Sequence, residues 1–292
     1  MLAFQVGKTY NDAIMQRPKR VTLAVVTRVS IILAALLVLS GWMLTTPPGF
    51  FTKADMIGYA VCHRIPERSF HVGTYQLPLC ARCSGMYLGA MLGLFFQILV
   101  SKRRSGFPPW RVIIPLALLV LAFAVDGVNS YLYLIKETYP KLVTNIPNLY
   151  IPNNILRLLT GSGMGLAISA VMFPAFNQTV WKEQDARPAL AGIKNFSILL
   201  GVMILVDMLV LTQKAFILYP LAVLSAGGVL VLLTMIYGIF WLMIFHQENK
   251  YERITQTWLA LLAGLTISIL QIALIDALRY WLTGTWAGFP LR

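Results

Sequence analysis

The chain has 292 residues, of which 58% are hydrophobic and only 12% are charged, and its mean hydropathy is +0.72. These values exclude an ordinary soluble globular domain and indicate a polytopic membrane protein. The formal net charge of +13 is explained by basic loops beside anionic lipid. Nucleic acid is not an expected partner, because the sequence has no basic fold or aromatic platform that would bind it.

Seven apolar segments predict the elements that cross the lipid bilayer. A transmembrane helix needs about 20 predominantly apolar residues with few charges. In chain order the segments that meet this need are 29–46, 83–100, 112–133, 155–176, 196–211, 215–245 and 258–282. We therefore expect an all-α fold, a polytopic transmembrane helix bundle. Its expected parts are a basic segment (1–28), a motif-bearing membrane half (29–176) and a C-terminal membrane half (177–292).

Basic residues predict the orientation of this bundle. The segment before the first helix contains Lys8, Arg17, Lys19, Arg20 and Arg28. If this segment is cytoplasmic and the helices alternate in direction, most of the remaining loop lysines and arginines also lie inside. We expect a multi-pass protein of the plasma membrane with its N-terminus inside and its C-terminus outside.

Five charged residues lie inside the predicted helices, where charge is costly unless it faces a protein interior or a wet cavity. They are Asp126, Arg157, Asp207, Asp276 and Arg279. The alternating topology places all five toward the outer side. Asp276 and Arg279 are three residues apart and are expected to form an ion pair. Asp126 and Arg157 indicate either an interhelical ion pair or a site for a substrate or an ion.

The segment YAVCHRIPERSFHVGTYQLPLCARCSGMYLGAMLG, residues 59–93, contains all three cysteines and two of the three histidines. Cys80 and Cys83 form C-x-x-C, and Cys62 and His63 lie upstream. This set matches the tetrahedral Cys3His ligands of zinc, with His71 as a competing fourth ligand. The same residues also allow a disulfide or a thiol redox centre, or reduced thiols without a metal. The spacing leaves these alternatives open.

Arginines surround the cysteine segment on the same predicted face. The predicted substrate-binding residues are Arg64, Arg68, Arg82, Asn154 and Arg157. Guanidinium groups suit phosphate or carboxylate, so an anionic lipid or an isoprenoid phosphate is the candidate ligand. The alternative is that these arginines contact lipid headgroups or pair with acidic residues.

Glu67 and Asp126 are the candidate catalytic acid and base, and they are also the acidic residues with which the arginines could pair.

The motifs CHRIPERSF and LPLCARCSGMYLG, a later DG, and NN followed by R and TG resemble domain-of-unknown-function family 2085, a group of prokaryotic integral membrane proteins. The resemblance covers roughly residues 55–175. It implies a polytopic membrane protein and favours His63 over His71 in the cysteine segment. It supplies no reaction. The positions that it marks as the expected functional centre are Cys62, His63, Pro66, Arg68, Ser69, Phe70, Pro78, Cys80, Arg82, Cys83, Gly85, Tyr87, Gly89, Asp126, Gly127, Asn154, Arg157 and Gly161.

Four functions are compatible with these features. One is a metal-dependent membrane enzyme that uses zinc and acts on an anionic lipid or an isoprenoid-type substrate. The second is an ion- or proton-coupled transporter that uses Asp126, Asp207 and Asp276. The others are a thiol-disulfide redox protein and a metal-stabilised protein without turnover. The sequence does not indicate an oligomeric state.

Overall fold

A computed structural model describes residues 25–138 and 147–287 of the chain. The helices are α1 Val25–Thr45, α2 Phe50–Val61, α3 Ala81–Ser101, α4 Trp110–Thr138, α5 Asn154–Val180, α6 Ile193–Leu211, α7 Ala215–Ile244 and α8 Trp258–Thr283. The strands are β1 Ser69–Val72, β2 Tyr75–Cys80, β3 Arg104–Gly106 and β4 Asp185–Pro188. Most of the basic segment 1–28, with Lys8, Arg17, Lys19 and Arg20, lies outside the described residues.

Seven helices within the described part of the chain, all except α2, are long and apolar enough to cross a membrane. This confirms the prediction of an all-α polytopic bundle. Each predicted apolar segment corresponds to one of these helices, although several helices extend a few residues further at their ends. Polar residues at the end of a span can continue the helix into the interfacial region, where water and headgroups solvate them. The orientation of the two termini stays a prediction.

Helix α2 was not predicted. It has 12 residues, which gives a length of about 18 Å, too short to cross the hydrocarbon core. It lies between the first two spans and packs against β2, α7 and α8. Met56, Ile57 and Tyr59 are buried in this contact. A search for long apolar runs misses such a helix, because its stability comes from tertiary packing of one face.

Strands β1 and β2 form an antiparallel hairpin that follows α2. The turn between them contains Gly73, whose φ of 60° is in the left-handed region that favours glycine. The register places Ser69 opposite Cys80. The hairpin therefore returns the chain to the end of α2 just before α3 begins, and this return brings distant cysteines together.

Helices α3 and α5 make the most extensive helix contact in the described bundle. Their backbones approach so closely that a methyl group on Gly85 or Gly89 would overlap a carbonyl oxygen of α5. A methyl group on Gly161 would overlap the carbonyl oxygen of Arg82, and one on Gly165 would meet the backbone of α3. Glycines four residues apart on each helix thus allow the two backbones to pack closely.

The charged residues within the helices lie at one end of the bundle, which we call the site end. It is the end at which α3, α5 and α7 begin and α4, α6 and α8 finish. Ser162 near the start of α5 donates to Asp207 Oδ1 at 2.7 Å. Trp42 near the end of α1 donates to Asp276 Oδ2 at 3.2 Å. The contacts agree with the prediction that these charges share one level of the bundle.

The predicted ion pair between Asp276 and Arg279 is wrong. The structure shows no ion pair between these two described residues. Arg279 instead donates to the carbonyl oxygens of Tyr59 and Cys62, the latter at 2.6 Å. The last carbonyls of a helix lack partners within it, and the end of α2 faces α8, so Arg279 satisfies these acceptors.

The opposite end of the bundle has a different construction. The short strands β3 and β4 pair in parallel there. Three ion pairs lie beside them: Arg187 with Asp185 at 2.7 Å, Arg104 with Asp185 at 3.9 Å and Lys182 with Glu252 at 3.0 Å. The Lys182–Glu252 pair is exposed, unlike the polar contacts of the site end.

Candidate functional site

The three cysteines meet at the site end, each on a different structural element. Cys62 directly follows α2, Cys80 is the last residue of β2, and Cys83 lies in the first turn of α3. Their three sulfur atoms lie within 4.8 Å of one another. Cys62 and Cys80 are buried, Cys83 is half-buried, and all three are free thiols. We call this group the thiol cluster.

Backbone amides point at one sulfur of the thiol cluster. The N–H groups of Arg64 and Cys80 donate to Cys62 Sγ at 3.5 and 3.4 Å. Arg64 adopts a left-handed φ of 49°, which is unusual for a residue with a side chain and turns its N–H back toward the sulfur. Such donors stabilise a thiolate more than a thiol.

The protonation of the thiol cluster is shared among its members. Hydrogen bonds from the thiols of Cys80 and Cys83, with a further contribution from His63, hold the pKa of Cys62 well below its ordinary value. The same interaction with Cys62 raises the pKa of Cys80. The arrangement thus favours one thiolate, and it places that thiolate on Cys62.

Arg279 supports the backbone beside the cluster. Besides the carbonyl oxygens of Tyr59 and Cys62, it donates to that of His63 at 3.3 Å. Its guanidinium also lies 4.0 Å from the centre of the Tyr59 ring. A positive charge in this position offsets the negative charge of thiolates in a buried setting.

The thiol cluster fits a thiolate-binding metal ion. Zinc bound by thiolates at about 2.3 Å in a tetrahedron needs sulfur atoms about 3.8 Å apart, and three sulfur atoms within 4.8 Å meet that need after small adjustments. The structure supplies three of the four predicted ligands. His63 is exposed, with Nδ1 3.8 Å from Cys62 Sγ, and lies outside the group of mutually close ligand atoms. His71 lies on β1, also outside that group.

A cavity of about 330 Å³ opens beside Cys62 and His63 between α2 and α8. Its wall is mostly apolar, and the two polar side chains at its edge are Arg279 and Thr283. The apolar residues that line it are Ala60, Val61, Ile275, Leu278 and Leu282. The accessible side of the thiol cluster therefore meets a space suited to an apolar chain.

A second polar group is built around Asp126, which is 1% exposed. The Arg82 guanidinium forms an ion pair with Asp126 Oδ2 and donates to Ser130 Oγ at 2.9 Å. Tyr150 donates to Asp126 Oδ1 at 2.7 Å, and Thr160 donates to Oδ2 at 3.4 Å. This finding supports the predicted alternative in which an arginine pairs with Asp126, and the partner is Arg82 rather than Arg157.

Arg68 and Arg157 lie beside Arg82, and we call these three residues the arginine cluster. Arg157 is buried and donates to Asn154 Oδ1 at 2.9 Å. Arg68 donates to the carbonyl oxygen of Ser130 at 3.3 Å. Burial, and next the positive charge of Arg82, lower the pKa of Arg68. Three guanidinium groups thus share one small region.

Arg64, a predicted substrate-binding residue, is engaged in an ion pair. Its guanidinium pairs with Asp55 on α2 at 2.9 Å, and Tyr75 donates to the other oxygen of that carboxylate at 3.0 Å. Glu67 is exposed, and its carbonyl oxygen accepts from Asn154 Nδ2 at 3.2 Å.

Five further residues of these polar groups were not predicted from the sequence: Asp55, Tyr75, Ser130, Tyr150 and Thr160. No spacing marks these residues, because they lie on separate elements.

The site links the two groups through one short segment. Arg82 stands between Cys80 and Cys83 in the sequence, so the start of α3 carries two thiols into the thiol cluster and a guanidinium to Asp126. Gly161 packs against the carbonyl of Arg82, as described above. The position of α5 therefore constrains both groups.

Comparison with known proteins places the chain in a family. Residues 62–171 match the family described as "Predicted membrane protein", domain-of-unknown-function family 2085. An uncharacterised protein of Methanothermobacter thermautotrophicus is 31% identical over 110 residues, which span 37% of this chain and 82% of the relative. An uncharacterised protein of Methanocaldococcus jannaschii is 28% identical over 125 residues, 42% of this chain and 68% of the relative. No solved structure matches the chain significantly. The matched region contains both the thiol cluster and the arginine cluster, and the chain belongs to domain-of-unknown-function family 2085 of membrane proteins.

Proposed function

We propose that this protein is a zinc-dependent membrane enzyme whose metal ion is held by Cys62, Cys80 and Cys83. The observation that carries the proposal is the approach of three sulfur atoms to within 4.8 Å of one another. Two backbone N–H groups directed at Cys62 Sγ support it further. Thiolates and zinc are matched in softness, and hydrogen bonds to coordinated sulfur are typical of the outer shell of such sites.

His63 is the residue of this chain best placed to complete the site. Its ring is adjacent to Cys62 Sγ and exposed beside the cavity between α2 and α8. A rotation of this side chain would bring imidazole toward the cluster or release a position for substrate. Zinc with an open position supplies a Lewis acid that polarises a bound oxygen.

The substrate that we propose is an anionic lipid or an isoprenoid-type molecule. An apolar chain suits the cavity wall described above. Glu67 is the proposed acid or base, since its side chain is exposed near the arginine cluster. Asp126 has both carboxylate oxygens occupied by hydrogen bonds from Arg82, Tyr150 and Thr160. We therefore assign Asp126 a positioning role through Arg82 in place of the predicted catalytic one.

We propose the plasma membrane as the location, with the site end outside, on the basis of the basic residues in the sequence. The transporter alternative depends on Asp207 and Asp276. Each of these carboxylates is buried and accepts a hydrogen bond, from Ser162 and Trp42 respectively. A structural role accounts for both contacts, so the thiol cluster favours the metal-dependent function.

Metal analysis with thiol counting on the detergent-solubilised protein tests the proposal. We expect about one zinc ion per chain in the wild type and loss of that zinc in Cys80→Ser. His63→Ala should weaken zinc retention against a chelator, whereas His71→Ala is the matched control and should retain zinc as the wild type does. A zinc-free protein with two oxidised cysteines would overturn the proposal in favour of a thiol redox centre.

A separate readout distinguishes an enzyme from a metal-stabilised structural protein. Glu67→Gln keeps the thiol cluster intact, so zinc content and thermal stability should match the wild type. Turnover of a phosphate-bearing lipid should fall in this variant if Glu67 transfers a proton. A wild-type rate in Glu67→Gln would exclude this role for Glu67.

A further inference from the structure

The arginine cluster has more positive charge than its buried surroundings neutralise. Of Arg68, Arg82 and Arg157, only Arg82 forms an ion pair with the buried carboxylate of Asp126, and the positive charges of Arg82 and Arg68 act on Arg157. We propose that the arginine cluster is a binding site for the phosphate group of an anionic ligand. Phosphate binding itself depends on the arginines and not on the metal ion. The inference rests on the proposed function only where it connects this binding with catalysis.

The ion pairs at the site end define which charges remain available. Asp126 pairs with Arg82, and Asp55 pairs with Arg64. Within the described residues, no carboxylate oxygen lies within ion-pair distance of Arg68 or Arg157. Glu67 and Glu137 are near enough to act on the charge of Arg68, but both side chains are exposed at the rim. Among the described residues, Arg68 and Arg157 therefore have no buried carboxylate in ion-pair contact. The charge of Asp126, already paired with Arg82, acts on Arg157 only from a greater distance.

Burial makes this imbalance costly. Arg157 is only 7% exposed, and its polar partner in the described structure is the neutral oxygen of Asn154. Its charged neighbours include Arg68 and Arg82, which repel it. A buried charge is expensive unless a counter-charge and hydrogen bonds compensate it. A bound anion would supply both.

The geometry of the cluster explains why phosphate is the proposed group. Asn154 holds one face of Arg157 at the start of α5, and the carbonyl of Ser130 holds Arg68 on the side of α4. Arg68 in the turn before β1, Arg82 on α3 and Arg157 on α5 lie near enough to act on one another's charge, so an anion bound among them could accept from more than one guanidinium. Phosphate offers more acceptor oxygens than carboxylate and matches this geometry.

The surroundings indicate that a lipid can carry this phosphate. In the turns next to Asp126 and Arg157, α4 and α5 expose Val128 at 62%, Ile155 at 53% and Leu159 at 38%. Exposed apolar residues on a membrane-spanning helix face acyl chains. A phosphate at headgroup level would thus be reached sideways from the bilayer, although a free phosphate has the same chemistry.

Two binding measurements on the full-length protein separate these sources. In the first, nanodiscs of phosphatidylcholine containing phosphatidic acid are analysed by native mass spectrometry for retained lipid. In the second, inorganic phosphate is titrated into the detergent-solubilised protein by calorimetry. Retention of phosphatidic acid over phosphatidylcholine identifies a lipid headgroup, and binding of inorganic phosphate identifies a free anion. Either result supports the site if the arginine variants abolish it.

We expect Arg157→Gln and Arg68→Gln each to weaken the binding of whichever phosphate probe the wild type binds, by about tenfold or more. Arg157→Lys should retain part of the affinity because it keeps the charge. Arg111→Gln is the matched control, since this arginine is exposed at the start of α4, near the opposite end. Its binding should equal that of the wild type.

The proposal is overturned if neither probe binds, or if both arginine variants bind as the wild type does. If Arg157→Gln does not fold, Arg68→Gln decides the result, because Arg68 is only half-buried. Zinc content measured in the same samples should be unchanged in the arginine variants. A wild-type protein that contains zinc but binds neither phosphate probe shows that this inference has failed, whereas one that binds a phosphate probe but contains no zinc shows that the proposed function has failed.

Discussion

The two ends of the bundle carry their ion pairs in opposite environments. At the site end, the side chains of Arg64 and Asp55 are 9% and 13% exposed, and that of Asp126 is 1% exposed. At the opposite end, the side chains of Lys182 and Glu252 are 59% and 65% exposed. Exposed pairs contribute little to stability, whereas a buried pair commits both partners and is costly to break.

The difference indicates that the site end is built for a function as well as for stability. Basic loops with exposed acidic partners are sufficient to anchor and solubilise the opposite end. The site end instead holds buried charges and free thiols, which an apolar core could replace at lower cost. Buried charges in membrane helices by default mark a functional site. The comparison can be tested by removing matched charges at each end.

The largest expected effect follows from Asp126→Asn. This change leaves Arg82 near two other guanidinium groups without its carboxylate, and we expect a loss of about 3–5 kcal/mol in the free energy of unfolding. Thermal unfolding in detergent measures it. Glu252→Gln at the opposite end is the matched control and should unfold at nearly the wild-type temperature, because the side chains of Glu252 and its partner Lys182 are 65% and 59% exposed. Equal losses in the two variants would remove the distinction between the ends.

The sequence predicted the bundle well because the bilayer imposes a simple rule on length and composition. Each of the seven predicted apolar segments corresponds to one candidate membrane span. Helix α2 escaped prediction because it is short and carries Lys53 and Asp55. Its stability depends on contacts with α8 and β2, which are distant in sequence.

The cysteines of the candidate site were predictable from the sequence, but the partners of its arginines were not. Cys62, Cys80 and Cys83 were grouped correctly because they share one short segment with a recognisable spacing. The direction of an arginine side chain has no such signature. Arg64 and Arg82 are both near cysteines in the sequence, yet one pairs with Asp55 and the other with Asp126. Only the packing of the hairpin and α4 decides between these partners.

A smaller effect, which depends on pH, is expected for Arg64→Gln. Burial raises the pKa of Asp55 above its ordinary 3.8, and the charge of Arg64 acts against that rise. A raised carboxyl pKa in the folded state means that stability is highest at low pH and is lost as the pH rises through the folded pKa. Removing Arg64 strengthens this trend, so we expect a loss of about 1–3 kcal/mol near neutral pH and less near about pH 4.

Unfolding temperatures of Arg64→Gln and the wild type across this range check the sign. The double variant Arg64→Gln with Asp55→Asn has no ionisable carboxyl at position 55. Its unfolding temperature relative to the wild type should therefore not fall further as the pH rises toward neutral. A deficit in Arg64→Gln that grew toward low pH would contradict the assignment. It would show that Asp55 is not the group that responds to Arg64.

The smallest expected effect concerns the packing that joins α5 to the start of α3. In Gly161→Ala the added methyl group meets the carbonyl of Arg82, and the helices must separate, at an expected cost of about 1–3 kcal/mol. Gly201→Ala is the matched control, since nothing lies within 4 Å of a methyl group there. Alanine favours a helix over glycine, so this control should be neutral or slightly stabilising.

Because Arg82 stands between Cys80 and Cys83, Gly161→Ala should also weaken zinc retention. Unchanged zinc retention would show that the thiol cluster tolerates a shift of α5.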